Sequence, residues 1–329
     1  MELFTISDAP RPRLVGIARL AAAGQRLEAK SHVEYLALEA RSVLNRCDSP
    51  RVPFQWTINP YRGCEFGCRY CYARYTHEYM ELDGAAFEQK IYAKQGAAEL
   101  LRRELKKAGD GAIAIGTATD PYQPAERRFG LTRRILEVIA EHQGLRLSIT
   151  TKSNLVVRDL ELLRAVARQN ALHINVTITT LRPELARALE PRAPRPELRL
   201  EAVRQLARAG LAAGVFAAPV LPAITDNPKD LDSLFKAAAE AGAGYLMVSP
   251  LFLMPSAQKQ FFPFLERQFP ELLEAYRKQY ERGAYLRGDY RRRLAQAVSG
   301  LRRKYALPPG PSEYPAEALQ SSPQLSLFS

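Results

Sequence analysis

From residue 54 onward the chain alternates short apolar runs with amphipathic stretches. The runs at 55–59, 112–118, 145–151, 172–179, 214–220 and 244–249 are rich in Val, Ile and Thr and mostly apolar throughout, as parallel strands covered by helices require. Between them, 131–142, 159–168, 197–209 and 228–241 carry apolar residues at helical spacing. In the first of these Leu131, Ile135, Leu136 and Ile139 recur, and Gly144 follows as a stop. Strand then helix, repeated about six times, predicts an α/β fold, either a (β/α) barrel or an open sheet. Upstream, 33–44 places Ala, Leu and Val at mixed helical spacing and predicts the one helix of an N-terminal extension. Downstream, 258–305 reads as polar and helical, and 308–329, rich in Pro, Ser and Glu, reads as a disordered tail. The expected organisation is therefore an extension over 1–50, a barrel over 51–255, a helical cap over 256–307 and a tail over 308–329.

Composition narrows the class. The chain has 329 residues, 47% hydrophobic and 25% charged, the balance of a globular protein. The longest apolar run, 211–224, contains Pro219 and Pro222 and is shorter than the roughly 20 residues of a spanning helix. The first 25 residues lack an apolar core after a basic start, so no signal peptide is expected. The expectation is a cytoplasmic protein without a membrane partner. A net charge of +12 points to a polyanionic partner such as nucleic acid, against the plainer alternative of a solvated arginine-rich surface.

Three of the four cysteines fall at Cys64, Cys68 and Cys71. Soft thiolates this close suit iron–sulfur clusters, Zn or Cu(I), and Gly63 and Gly67 let the backbone turn tightly around a bulky centre. A structural zinc site needs a fourth ligand, with Cys47 or His77 available, but the paired spacing of a zinc ribbon is absent. A disulfide framework does not suit so clustered a set in so long a chain. Cys47, at the end of the extension, reads as a buried or spectator thiol.

Cys64-x3-Cys68-x2-Cys71, with Tyr70 just before the last cysteine, resembles the signature of the radical S-adenosylmethionine (SAM) superfamily. The flanks Asn59-Pro60-Tyr61-Arg62-Gly63 and Tyr72-Ala73-Arg74 resemble its spore photoproduct lyase-like branch. The resemblance implies a partial (β/α)6 TIM-type barrel in which Cys64, Cys68 and Cys71 hold a 4Fe-4S cluster. It also implies that the open iron chelates SAM, which is cleaved reductively to a 5'-deoxyadenosyl radical.

In barrels of this kind the chemistry collects where strands end and βα loops begin. The second strand ends in Thr119-Asp120-Pro121-Tyr122-Gln123-Pro124-Ala125-Glu126, whose prolines hold polar groups at low entropic cost. Asp120 and Glu126 are candidates for SAM or substrate, Thr119 for the cofactor and Tyr122 for hydrogen return; the plainer reading is that Thr119 and Asp120 only cap the turn. Spore photoproduct lyase has a hydrogen-donating cysteine after this strand, where Thr117 stands here, which puts thymine-dimer reversal of the spore type in doubt. Lys152 at the end of the third strand, and Thr177, Thr179 and Asn175 on one face of the fourth by the period-two rule, are candidates for SAM contacts. Tyr70 joins the cofactor set through the motif.

Two C-terminal features complete the reading. Arg291–Arg293 and Arg302–Lys304, with Tyr276, Tyr280, Tyr285 and Tyr290 nearby, suit phosphate contact and base stacking; the alternative is a helical cap with its tyrosines packed inward. The end of the tail, Gln324-Leu325-Ser326-Leu327-Phe328, resembles the motif that docks bacterial repair and replication proteins on the polymerase sliding clamp. The expectation is a radical SAM enzyme acting on nucleic acid, as a repair-type lyase or a modifying enzyme, with a flavodoxin or ferredoxin as reductant. The alternatives are modification of a protein or small molecule, or a non-catalytic cluster or zinc sensor.

Overall fold

Eleven strands build two sheets in the computed structural model, which describes residues 14–30, 32–286 and 288–311. They are β1 (Arg26–Lys30), β2 (Val33–Glu39), β3 (Leu44–Arg46), β4 (Trp56–Ile58), β5 (Tyr61–Arg62), β6 (Lys90–Gln95), β7 (Ile113–Ile115), β8 (Arg146–Thr151), β9 (Ala171–Thr177), β10 (Ala212–Val220) and β11 (Leu246–Pro250). The larger sheet has the order β11-β10-β9-β8-β7-β4-β3. Its first six strands are parallel, and β3 pairs antiparallel with β4 at the far edge. The sheet does not close on itself. It is the partial barrel that the alternation of strands and helices predicts, with one face clad by helices.

Side chains sort cleanly between its faces, as the alternation along a strand requires. Ile58, Ile113, Ile115, Leu147, Ile149, Ile174, Val176, Val215, Leu246 and Val248 are buried and join the main core. The helices Leu131–Ala140, Leu160–Ala167, Pro196–Arg208 and Pro228–Glu240 supply the other side of that core, among them Ile135, Leu163, Leu206 and Phe235. The inner face carries small and polar groups instead, including Thr57, Asn59, Ser148, Thr150 and Asn175.

Most of the segment 33–44 is the strand β2, not the predicted helix. Val33 and Tyr35 point to one side in alternation with Glu34, and both are β-favouring residues. The decisive term is tertiary: β2 runs parallel to β6 over six residue pairs, and β1 pairs antiparallel with β2. The order of the small sheet is β1-β2-β6-β5. The described residues before 50 are therefore paired with the rest of the fold rather than appended to it, β2 on β6 in the small sheet and β3 on β4 in the larger one. At the other end, the helix Asp289–Tyr305 places Leu294 and Val298 in the main core, and Pro308 accepts a hydrogen bond from the Leu246 N–H of β11.

Candidate functional site

The cysteine loop leaves β5 and is shaped by its glycines. Gly63 has φ 82°, and a Cβ there meets the Lys90 and Phe87 carbonyl oxygens at 2.6 and 2.8 Å. No side chain fits that contact, whatever the backbone conformation. Gly67 has φ 63°, and a Cβ there meets only ordinary contacts, Glu88 at 3.6 Å and the Glu65 carbonyl at 3.8 Å, so its requirement is conformational alone. Buried Arg74 ties the loop from beneath: it pairs with Glu88 at 2.6 Å and donates to the Cys68 carbonyl at 3.2 Å. Arg192 donates to the carbonyls of Glu65 and Glu88.

The three cysteines are free, Cys64 and Cys68 buried and Cys71 half-buried. Burial pushes the Cys64 thiol well up, and Asp120 and the other two cysteines add to it. Burial likewise lifts Cys68 to about 12 against the pull of Lys152. Thiols in such a setting keep their protons until a metal displaces them. Among the described residues no three His, Cys, Asp or Glu side chains converge on a point for one ion; a polynuclear cluster asks for less convergence, because its thiolates sit on different irons. His77, a possible fourth zinc ligand, has its Nε2 3.0 Å from the Lys90 carbonyl and its ring against Phe87 and Tyr92. The donor set fits a cluster held by three thiolates.

The loop after β7 serves chiefly to hold the cysteine loop. Thr119 donates to the Gly63 carbonyl at 2.6 Å. Gln123 donates to the same carbonyl at 3.0 Å and accepts from the Glu65 N–H at 2.9 Å. Asp120 accepts from the Tyr122 N–H, the Thr151 hydroxyl and the Lys152 N–H at 2.7 to 2.9 Å, which fixes the turn to the end of β8. Burial raises its carboxyl even so.

Two candidates from this loop stand elsewhere than expected. Glu126 is fully buried and accepts from Tyr61, the N–H groups of Thr132 and Arg133, and Arg158. Four donors leave its carboxylate no capacity for a ligand, and it anchors the start of the following helix. Tyr122 is also wholly buried, in the main core with Ile135 and Val156 and with Arg158 6.0 Å from its ring. The cysteines belong to a different cluster of side chains. An unbroken alternation of polar and Pro residues does not reveal which side chains of such a loop turn inward.

Of the remaining candidates, Tyr70, Lys152 and Thr179 converge. The Tyr70 hydroxyl lies 3.0 Å from Thr179 and donates a short hydrogen bond to Glu190, and Thr179 donates to the same carboxylate oxygen at 2.9 Å. Arg199 pairs with Glu190 at 2.5 Å, and Lys152 approaches it at 3.9 Å while lying 5.7 Å from the centre of the Tyr70 ring. Burial alone raises Glu190, but Arg199 and Lys152 outweigh it and hold the carboxyl below its ordinary value. Burial also disfavours the Lys152 ammonium, but the Cys68 thiolate when formed, and Glu190, raise it above its ordinary value. Asn175 binds Thr150 and Tyr245, and the backbone carbonyl of Thr177 accepts from Arg199. The sequence reading missed Gln123, Glu190 and Arg199 as members of this site, because Gln123 and Glu190 act on partners distant in the chain and Arg199 acts through Glu190.

Other expectations resolve with the burial. Tyr276 and Tyr280 pack inward, their hydroxyls donating to the Pro222 and Leu251 carbonyls, so they offer no stacking surface. Cys47 is half-buried and lies close enough to Tyr72 and Tyr75 to act on their phenols, which burial already raises. Gln324, Leu325, Leu327 and Phe328 lie outside the described residues. No described helix is long and apolar enough to cross a membrane.

Comparison with known proteins agrees with this geometry. The Radical SAM superfamily profile matches residues 58–235. An uncharacterised protein of Mycobacterium tuberculosis is 40% identical over 296 residues, covering 88% of this chain and 86% of the relative. One of Methanocaldococcus jannaschii is 28% identical, covering 74% and 87%. Among solved structures, spore photoproduct lyase complexed with dinucleoside spore photoproduct superposes with a TM-score of 0.64 at 16% identity, covering 82% of this chain and 79% of that one. With its thiol triplet in the loop that follows β4 and β5 and the profile spanning more than half its length, the chain belongs to the radical SAM superfamily, whose members use a 4Fe-4S cluster and SAM.

Proposed function

We propose that Cys64, Cys68 and Cys71 are the cluster ligands, that Lys152, Thr177, Thr179 and Tyr70 shape the SAM site, and that the substrate is a nucleic acid. The cluster and SAM together supply hydrogen-atom abstraction by a 5'-deoxyadenosyl radical. The chain supplies position, charge and exclusion of water. Lys152 is a buried cation beside Cys68, suited to the carboxylate of SAM, and Glu190 pairs with it at 3.9 Å. Tyr70 and Thr179 are fixed by that same carboxylate. Phe66, Leu221, Ile224, Leu251 and Leu253 form an apolar shell around the cysteines, which strengthens every charge inside it.

The observation that carries this reading is the junction of three free thiols with the Lys152–Glu190–Tyr70 group at the strand ends. The nucleic-acid part rests on the charge of +12 and on the dinucleoside ligand of the spore photoproduct lyase neighbour. Thr117 offers no thiol, and Tyr122 is sealed in the core. The reaction is therefore a repair or modification in which hydrogen returns by another route than the spore enzyme's cysteine. A flavodoxin or ferredoxin would serve as the electron donor, and the Gln324–Phe328 end would dock the sliding clamp, so that its deletion abolishes capture by immobilised clamp.

The test is anaerobic reconstitution with iron and sulfide, then dithionite and SAM, with 5'-deoxyadenosine measured in wild type and Cys68→Ala. Product from wild type alone supports the reading. No product from a fully loaded wild-type cluster refutes it.

A further inference from the structure

Five aromatic rings follow one another on the surface beside the cysteine loop. Tyr79 meets Tyr75 with ring centres 5.3 Å apart, Tyr75 meets Tyr72 at 6.5 Å, Tyr72 meets Phe252 at 5.8 Å, and Phe252 meets Tyr285 at 4.5 Å. Tyr72 directly follows Cys71, and Phe252 lies just beyond the end of β11. Rings that serve a core are buried, as Tyr276 and Tyr280 are. Here Tyr79 is 67% and Tyr72 37% exposed, with the other three partly open.

Among the described residues three arginines line the strip, and the one carboxylate within it, Glu78, pairs with Lys259 rather than with any of them. The Arg51 guanidinium lies 4.3 Å from the centre of the Tyr285 ring. Arg291 lies within electrostatic reach of Arg51, which adds to burial in disfavouring its charge. Arg62 donates to the Thr76 carbonyl at 3.4 Å and lies beside Tyr75. No carboxylate acts on Arg62 or Arg291 among the described residues, and the Nε of each is buried without a hydrogen-bond partner. Cations this close together, with no carboxylate paired to them, are matched when a ligand brings the anion.

We infer that this strip is a binding track for a single-stranded stretch of nucleic acid. Bases stack on the tyrosine faces, and the backbone phosphates meet Arg51, Arg291 and Arg62. One ligand then uses both features at once, since every base has a π face and every linkage a negative charge. An acidic peptide would answer the arginines but leave the ring faces without partners. The track rests on the nucleic-acid reading above and adds to it where the strand lies: across the segment after Cys71 and over the end of β11.

The test uses the reconstituted full chain and a fluorescein-labelled oligothymidylate, followed by anisotropy over a salt series. Tyr79→Ala is expected to weaken binding about tenfold, while Tyr79→Phe, which keeps the ring, binds as wild type. Arg51→Ala is expected to lower the slope of log affinity against log salt by about 0.7, the share of one phosphate on a single strand. Both side chains are exposed, and 5'-deoxyadenosine formation from SAM should be unchanged in each variant. If wild type binds the oligonucleotide and both alanine variants bind it equally well, the track is wrong and the nucleic-acid reading survives. If wild type binds neither single strand nor duplex at low salt, the nucleic-acid reading falls and the track with it. Loss of polyglutamate binding rather than oligonucleotide binding in Tyr79→Ala overturns the track in favour of a peptide.

Discussion

Gln123 grips both peptide groups that flank Cys64. Its amide oxygen accepts from the Glu65 N–H at 2.9 Å and its amide nitrogen donates to the Gly63 carbonyl at 3.0 Å. Only a neutral amide offers an acceptor and a donor on one short planar group. Replacing it by Leu leaves the buried Glu65 N–H unpaired, which costs about 1–3 kcal/mol. Gln123→Leu should lower the melting temperature and reduce the iron bound per chain after reconstitution. Unchanged iron content would mean that the grip does not orient Cys64.

Gly63 allows a sharper test of the same loop. Gly63→Ala drives a methyl group into two backbone carbonyls that belong to the helical turn Gly84–Glu88 and to β6, at a positive φ that Ala resists. Gly67→Ala meets only the second penalty. The expected order of cluster loading, read from absorbance near the charge-transfer bands, is wild type, then Gly67→Ala, then Gly63→Ala.

The Glu190–Arg199 pair is almost fully buried on both sides, at 1% exposure each. Breaking such a pair leaves one charge without compensation, typically a loss of 3–5 kcal/mol, whereas removing both charges costs far less. Arg199→Met should destabilise by about that amount in urea unfolding, and Glu190→Gln with Arg199→Met should recover much of it. Additive losses would show that the two residues act separately.

His77 sets an acid limit. Burial depresses its imidazole from 6.5 to about 4, so the folded chain prefers it neutral. Its contribution is complete above about pH 6.5 and is lost as the pH falls through about 4, a change on the order of 3 kcal/mol. Urea midpoints at pH 7 and pH 4.5 should therefore diverge more for wild type than for His77→Phe. Equal divergence would assign the acid sensitivity to other groups.

Tyr122→Phe should leave SAM cleavage unaltered. Its hydroxyl lies in the main core, and no residue of the cysteine cluster packs there. Stability should shift by less than about 1 kcal/mol, because the ring that fills the site is retained. A loss of 5'-deoxyadenosine in the folded variant would place the phenol in the reaction after all.

The barrel was legible because buried parallel strands are written as local runs of Val, Ile and Thr, and because alternation puts Asn175, Thr177 and Thr179 on the inner side without knowledge of any neighbour. The strand β2 was not, since its pairing to β6 lies more than fifty residues away and its own stretch mixes two periods. Glu190 and Arg199 look like surface charges in sequence; only the fold carries Glu190 to Tyr70, 120 residues distant. Glu126 misled for the converse reason. A carboxylate in a polar loop reads as available until the four donors around it are known.

The two edges of the larger sheet, β3 and β11, share no ladder of backbone bonds. Phe252, just past β11, forms an isolated antiparallel bridge with Tyr285, and from the other edge Arg51 of the β3–β4 connection reaches the Tyr285 ring by its side chain alone. Contacts of this type are worth about 1 kcal/mol each at exposed sites, little beside a hydrogen-bonded sheet. A closed barrel admits a long polymer only by its end. Here the wall has a seam, and a chain that continues in both directions can be laid in from the side, so that a position deep within it is as reachable as a terminus.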